Sequence, residues 1–509
     1  MRVILLVLSI LLAETGAAQS PARGLHAAPG GTDGTPRVRV VAPVERADFS
    51  RLTSYDSLQA FIRSLNPAGT IKVRAIATSR QGRSVTACMV STSPAFGQDT
   101  TKLRCLLFAQ QHGDEPSGKE ALTLLLAKIA NFDLDGLLAR MDILIVPQMN
   151  PDGSELRQRR TADGTDLNRT HLLLSAGEPA GLHQLFFDWW PQVTLDIHEY
   201  SPFSTSWSSR GYIKAADVQL GMLTNLNSPR GIRDYQRQEV FPHWSRRMAA
   251  AGYAFNEYIV GSPDERIRFS TTEPNDGRQS FGLLGTMSFI QEGRGGRTLE
   301  ENLERRVLSQ LASVEALLSF CAANEEEIRA RVAEARLGLQ AMAGQEAVLC
   351  MDHFPGGRSI RIPVQSVATG KDSLWTVEPL DDAVRPLVIR AIPHGYVVPR
   401  DLGPVRQILD RNRVKYTVVE KQSSVPGAAY RIESVVPDTL EAEWHPKPVL
   451  RVTRGPVTLR PGDLVVSTAQ RHALFLATLL EPESMWGLVK YAGFESLWQS
   501  KVYPIGIIP

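Results

Sequence analysis

The chain has 509 residues, 43% hydrophobic and 22% charged, the profile of a soluble protein with a substantial core and more than one ordinary domain. Its formal net charge is only +2, which removes any electrostatic case for nucleic acid or an anionic membrane as partner. Four cysteines without C-x-x-C spacing exclude a thiolate metal site and a disulfide scaffold.

In chain order, Arg2, the apolar run Val3–Ala13 and the small residues Gly16, Ala17 and Ala18 predict a signal peptide over 1–19, cleaved near Ala18 or Gln19. The expected location is therefore secreted or periplasmic. No later run reaches roughly 18 uninterrupted apolar residues, so no integral membrane segment is expected once the signal is removed. Residues 20–48 are rich in Pro, Gly and Ala and read as a flexible lead-in.

Regular patterning begins near Ser54. Ser57–Leu65 has helical apolar spacing, and strand-like runs follow at Ile71–Ala77, Val85–Ser91 and Leu103–Ala109. Cys88 and Cys105 fall in the last two runs; a disulfide there needs suitable register and geometry, and two buried thiols are the expectation. Pro116–Ala130 reads as a helix with Pro in its first turn, and Ile143–Val146 and Val193–Ile197 as buried strands. Strands alternating with helices predict an α/β layer architecture over 49–325.

Leu299 to about Ala343 reads as helical throughout. Val307, Leu308, Leu311, Val314, Leu317, Leu318 and Cys321 form one apolar face, and the charged later part, 326–343, reads as a helical spacer. From 344 to 509 the texture changes to short β-type runs broken by Pro and Gly, with a helix near Val405–Asn412. This predicts a mainly β accessory domain without a catalytic motif of its own.

The chemistry gathers at strand ends. Leu103–Ala109 runs into Gln110-Gln-His112-Gly-Asp-Glu115, and ligands of α/β proteins bind where strands end. His112 and Glu115 can reach one metal from a single turn, and Val193-Thr-Leu-Asp-Ile-His198 supplies another strand ending in His. Two His and one carboxylate, with a fourth position left to water, make a catalytic zinc set. Between these pieces lie Asn150-Pro-Asp-Gly153 and Arg159-Arg-Thr-Ala-Asp-Gly-Thr-Asp166-Leu-Asn168-Arg169; beyond them, Ser288-Phe-Ile-Gln-Glu292 ends a further apolar strand.

On these ordered motifs, together with the early Ser79-Arg-Gln-Gly82-Arg83, the chain over roughly Ser54–Glu325 resembles the zinc carboxypeptidase family, which includes the pancreatic digestive enzymes and many bacterial relatives. The resemblance implies a mixed central sheet flanked by helices, one Zn2+ per chain, and a peptide or protein substrate with a free C-terminus. It implies metal ligands His112, Glu115 and His198, with Asp166 orienting the first histidine. Arg159 matches the arginine that polarises the scissile carbonyl, Asn168 and Arg169 the pair that clamps the terminal carboxylate, and Glu292 the general base. Physical chemistry is consistent with these roles. A carboxylate can shuttle the water proton to the departing amine, and a guanidinium forks onto a carboxylate bidentately. A metal-bound His usually donates its second N–H to a carboxylate. One departure stands out: the family's mobile tyrosine has no counterpart in Arg268–Arg278, and the nearest tyrosine is Tyr258.

Rival readings remain, a non-enzymatic binding module among them, against which stands the presence of all the required polar groups. Gly113–Lys119 nearly spells a phosphate loop, but Glu120 stands where Ser or Thr must bind magnesium, and Asp114 and Glu115 repel phosphate. A zinc deacylase of the aspartoacylase or succinylglutamate desuccinylase type uses a similar metal set. Among peptidases, a bacterial cell-wall peptide is as fitting a substrate as a dietary protein.

Overall fold

The computed structural model describes residues 39–65, 69–440 and 443–509; the signal sequence expected over 1–19 lies outside them. The end of the stretch read as a lead-in already folds, as the helical turn Pro43–Arg46 with Val44 buried.

The centre of the molecule is an eight-stranded mixed sheet. Its strands are β1 (Ile71–Thr78), β2 (Ser84–Val90), β3 (Leu103–Ala109), β4 (Met141–Val146), β5 (Val193–Tyr200), Met287–Arg294, β7 (Val218–Gly221) and β8 (Phe255–Glu257), β6 being the separate short strand Tyr212–Lys214. The order is β1-β2-β4-β3-β5, then Met287–Arg294, then β7-β8. The core run β4-β3-β5-Met287–Arg294 is parallel, and β1, β2 and β7 join antiparallel. β4 and β5 are buried along their whole length. Continuous apolar runs are what strands covered on both faces require.

Because β4 lies between β2 and β3, Cys88 and Cys105 are not cross-strand neighbours. All four cysteines are free thiols. Helix Ser117–Ala130 follows β3 and packs on the sheet, where a Cβ on Gly118 would stand 2.6 Å from Ile197 Cγ2. Only glycine permits that approach, which seats the loop after β3 over the end of β5. Lys119 and Glu120 are buried; Glu120 accepts from Thr53 N at 2.8 Å, and Lys119 Nζ bonds Thr53 O. The buried Lys119, turned into the core, agrees with the sequence arguments against a phosphate loop.

The long helix expected over Leu299–Ala343 is two helices, Leu303–Ala323 and Glu325–Leu339, broken at Asn324 (φ −133°). The first is long and apolar enough to cross a membrane by composition, but 67% of its apolar 18-residue stretch is buried within the fold. The second, read as a spacer, lies against the body: Ile328, Val332, Arg336 and Leu339 are buried. Arg336 donates to Trp190 O, Pro191 O and Thr286 Oγ1 at 3.0, 2.6 and 2.9 Å.

Residues beyond 344 are β-rich, with a helix at Gly403–Arg411. Strand Ile360–Ser366 pairs with β6, Val364 opposite Lys214. A six-stranded sheet ends in the long hairpin Ser423–Leu440/Glu443–Leu459, and its core gathers Tyr396, Leu409, Leu464, Trp486 and Tyr503.

Candidate active site

At the end of β3 the backbone turns through Gln110, a non-glycine residue at φ +56°. Such conformations persist only where the surroundings over-determine them. Here the Gln110 amide donates to Gly113 O and Ser154 Oγ, both at 3.0 Å. Gly113 presses on the Asn150–Gly153 segment so closely that a Cβ would come 2.0 Å from Gly153 C. Asn150 caps helix Pro151–Leu156 through Gly153 N at 2.8 Å, and its amide donates to Gln111 O and Arg159 O at 3.1 and 3.3 Å. Asp152 accepts from Ser79 Oγ, Gln81 N and Arg83 Nη1 at 2.8, 2.9 and 2.7 Å. The Ser-x-x-Gly-Arg and Asn-Pro-Asp-Gly phrases are thus two halves of one brace beneath the loop.

That brace presents His112 and Glu115 to His198. The two imidazole Nδ1 atoms are 3.1 Å apart, and Glu115 reaches His112 Nδ1 at 2.8 Å and His198 Nδ1 at 2.9 Å. The second Glu115 oxygen also accepts from Glu199 N at 3.1 Å. The outer ring atoms face carboxylates of their own: His112 Nε2 lies 3.1 Å from Asp166 Oδ1, and His198 Nε2 lies 2.9 Å from Asp196 Oδ1. Burial alone would lower both imidazole pKa values, but the surrounding carboxylates outweigh it and hold both above the usual range. Burial likewise works to raise Glu115, and the two imidazoles overcome it. Three donor atoms within 4.8 Å of one another, with lone pairs converging, fit a tetrahedral zinc, for which ligand nitrogens about 3.3 Å apart are expected from Zn–N bonds of about 2.0–2.1 Å.

Around this cluster the structure gathers the other residues singled out from sequence. Arg159 Nη1 stands 3.1 Å from His112 Nδ1, while its Nε and Nη2 lie 3.1 and 3.0 Å from Asp166 Oδ2. Its sequence neighbours point elsewhere: Arg157 forks onto Glu300 and Arg160 bonds Gly164 O. Asp166 caps the short helix Leu167–Arg169. Asn168 Oδ1 accepts from Gly277 N and Gln111 Nε2 at 2.8 and 3.1 Å, and Nδ2 lies 3.3 Å from His198 Nε2. Arg169 donates to Asn168 O at 2.9 Å. Glu292 sits opposite His198 in the parallel ladder. Burial raises its pKa to about 7, with Glu115 adding to the rise and His198 opposing it. Glu292, Arg159, Asn168, Arg169 and the three donor residues share one cavity of about 250 Å³, which Tyr200 and Tyr258 also border.

Sequence reasoning missed four supports. Asp196 stands two residues before His198 on β5, and the period-two alternation of a strand puts both side chains on one face, a signal that was available. Gln111 Nε2 donates to Asp196 Oδ2 at 2.8 Å, and Gln111 Oε1 meets His171 Nε2 at 2.7 Å. Buried Glu199 accepts at Oε1 from both Arg306 Nε and Nη2, at 2.9 and 2.7 Å. Lys214, on β6, lies over the Tyr200 ring at 4.6 Å, and burial lowers its pKa to about 8. Local sequence gives no sign of the last three, whose partners are distant in the chain.

A mixed sheet with a His-x-x-Glu loop and a second His at neighbouring strand ends, facing a buried carboxylate, defines a hydrolase of the metallopeptidase class. Residues 58–208 match the zinc carboxypeptidase family model, a span that includes His112, Glu115 and His198 and stops short of Glu292. Carboxypeptidase 2 of Trichophyton rubrum is 27% identical over 411 residues, covering 78% of this chain and 74% of its own length. Carboxypeptidase 2 of Trichophyton tonsurans is 25% identical over 453 residues, covering 85% and 82%. Among solved structures, a metallo-carboxypeptidase from Burkholderia cenocepacia aligns at 17% identity and a TM-score of 0.41, covering 55% of this chain and 71% of that one. Residues 58–208 thus carry a zinc carboxypeptidase domain match, and the carboxypeptidase relatives support a peptide-bond hydrolase.

Proposed function

We propose that the protein is an exported, zinc-dependent carboxypeptidase that releases the C-terminal residue of a peptide. The observation that carries the reading is the convergence of His112 Nδ1, His198 Nδ1 and the Glu115 carboxylate on one point, while each outer Nε2 faces its own carboxylate. One zinc would be held by these three residues, with Asp166 and Asp196 setting the ring orientations. Zinc in such a donor set acidifies water and polarises a carbonyl.

The remaining steps belong to the chain's own groups. Glu292 takes the proton of the attacking water on its carboxylate and passes it to the departing amine nitrogen. Arg159, anchored by Asp166, offers Nη1 to the oxygen on which negative charge develops. Arg169 and Asn168 receive the free carboxylate of the substrate, Arg169 through the two parallel hydrogen bonds that only a guanidinium supplies.

The test compares acid and amide forms of one peptide. Wild type should cleave the acid and largely spare the amide, and Arg169→Ala should lower kcat/KM for the acid by about a hundredfold. His198→Ala should lose its zinc on metal analysis. Equal cleavage of acid and amide by wild type would sink the exopeptidase reading in favour of an endopeptidase or a deacylase, and full zinc occupancy in His198→Ala would sink the metal assignment.

A further inference from the structure

Behind the three donor residues the fold buries two further histidines. His171 follows the short helix Leu167–Arg169, and His183 lies on helix Gly177–Trp189 with its ring stacked on Phe281 at 4.5 Å. Burial lowers the His171 pKa to about 4 and that of His183 well below the usual range, so each ring carries one proton at neutral pH. A hydrogen-bond chain joins both rings to the site, and its polarity follows from two fixed ends. A backbone N–H only donates, so the Asn168 atom that Gly277 N meets at 2.8 Å is Oδ1. The Gln111 atom 3.1 Å from that oxygen and 2.8 Å from Asp196 Oδ2 faces two acceptors, and is therefore the amide nitrogen. Gln111 Oε1 then accepts at 2.7 Å from His171 Nε2, which must hold that ring's proton. His171 Nδ1 is left as an acceptor, and His183 Nε2 donates to it at 3.1 Å. The chain ends at His183 Nδ1, a buried lone pair without a partner among the described residues.

We propose that His171 and His183 are positioning residues that act through Gln111 on two parts of the site at once: the Asp196 carboxylate behind His198, and the Asn168 amide that meets the substrate carboxylate. The inference rests on the metal and carboxypeptidase assignments above and adds the groups that hold them in register. A reversed Gln111 amide would set its oxygen against both Asp196 Oδ2 and Asn168 Oδ1, and its NH2 against the proton of His171. The His171 Nε2–H therefore locks the one orientation in which every donor meets an acceptor. With Asn168 Oδ1 occupied by two donors, Nδ2 is the atom left for a substrate. Space around the chain is closed: a Cβ on Gly277 would stand 2.6 Å from Asp196 Oδ2 and 3.0 Å from Gln111 Nε2. Buried networks of this kind act as units, so a change at the far end is felt at the near one.

One test needs no altered active site. Ring-nitrogen NMR of histidine-labelled protein should show both His171 and His183 as the neutral Nε2–H tautomer, their signals assigned by their loss in single variants. An Nδ1–H tautomer at either ring overturns the chain. A second test is zinc affinity by chelator competition, with KM and kcat measured at saturating zinc on a peptide with a free C-terminus. His171→Leu leaves Gln111 Oε1 unpaired and should weaken zinc binding by about tenfold, raising KM more than it lowers kcat. His171→Gln, whose amide can donate in place of Nε2–H, should recover most of both losses. His183→Phe keeps a ring against Phe281 but frees the His171 tautomer, and should move zinc affinity and KM the same way by a smaller factor. Should His171→Leu fail to fold, His183→Phe and the tautomers decide. Zinc affinity and KM equal to wild type, a loss confined to Tm, or a His171→Gln no better than His171→Leu overturns the proposal and leaves the carboxypeptidase reading intact. A wild type that binds no zinc overturns that reading and this proposal with it.

Discussion

Asp196 stands behind His198, one of the proposed metal ligands. Its Oδ1 lies 2.9 Å from His198 Nε2, and its Oδ2 accepts from Gln111 Nε2 at 2.8 Å, a placement suited to holding the ring by charge. Asp196→Asn keeps the shape and removes the charge, and zinc affinity measured by chelator competition should fall about 10–100-fold. An unchanged affinity would mean that the strand alone sets the ring. Glu292 makes a second expectation at this scale. Its pKa is raised to about 7, burial being the main cause, and the proposed role of general base requires the deprotonated form. The kcat/KM profile should therefore rise with pH through the region of 7, displaced downward by whatever cation is bound, and Glu292→Gln should abolish most turnover with zinc retained. The same shift has a stability consequence. A carboxyl whose folded pKa exceeds its unfolded value contributes stability fully present below about 4.5 and lost as pH rises through about 7. The residues singled out in the sequence and brought together by the fold are those whose proposed chemistry demands a particular type: His112, Glu115, His198, Asp166 and Glu292. Gln111, Glu199 and Lys214 were not singled out, because an amide or a buried charge acquires its meaning only from a partner far along the chain.

Among the elements, helix Glu325–Leu339 departs most from expectation. Its charged surface reads as a spacer, yet Ile328, Val332, Arg336 and Leu339 make a buried stripe at helical spacing, and the charged member of that stripe hides it from a hydropathy reading. Arg336 has its pKa lowered to about 9 by burial, so it stays protonated at neutral pH, its Nη1 and Nη2 donating to two carbonyls and a hydroxyl while Nε is buried without a partner among the described residues. Arg336→Ala should lower the unfolding free energy by about 2–4 kcal/mol, read from a denaturant midpoint; a midpoint within error of wild type would restore the spacer view. The segment between β5 and Met287 was equally opaque, for a different reason. Its strands Tyr212–Lys214, Val218–Gly221 and Phe255–Glu257 are too short for alternation to register.

For the whole molecule, the change of texture near 344 was legible and the joint across it was not. Strand Ile360–Ser366 pairs with β6, Arg358 holds Glu257 at 2.6 Å, and Asn227 exchanges hydrogen bonds with Val348 at 2.8 and 2.9 Å. Long-range pairing of this kind leaves no trace in local periodicity. It also places Lys214, a neighbour of the proposed base, under the control of the C-terminal half.

The hairpin that closes the six-stranded sheet has one more consequence. Strand Glu443–Leu459 is the outermost of its sheet and carries exposed Val449 and Val452. An open edge with apolar side chains is a template on which another chain can add itself. This strand also carries Pro446, Pro448 and Pro456, with exposed Lys447, Arg451 and Arg454 between them. A proline has no N–H to offer an incoming strand, and bringing two such edges together would bury like charges. Pro448→Thr combined with Pro456→Thr should shift the protein toward larger species in light scattering at concentrations where the parent chain stays monodisperse. Unchanged scattering would mean that the cations alone suffice. The strand is built to refuse company.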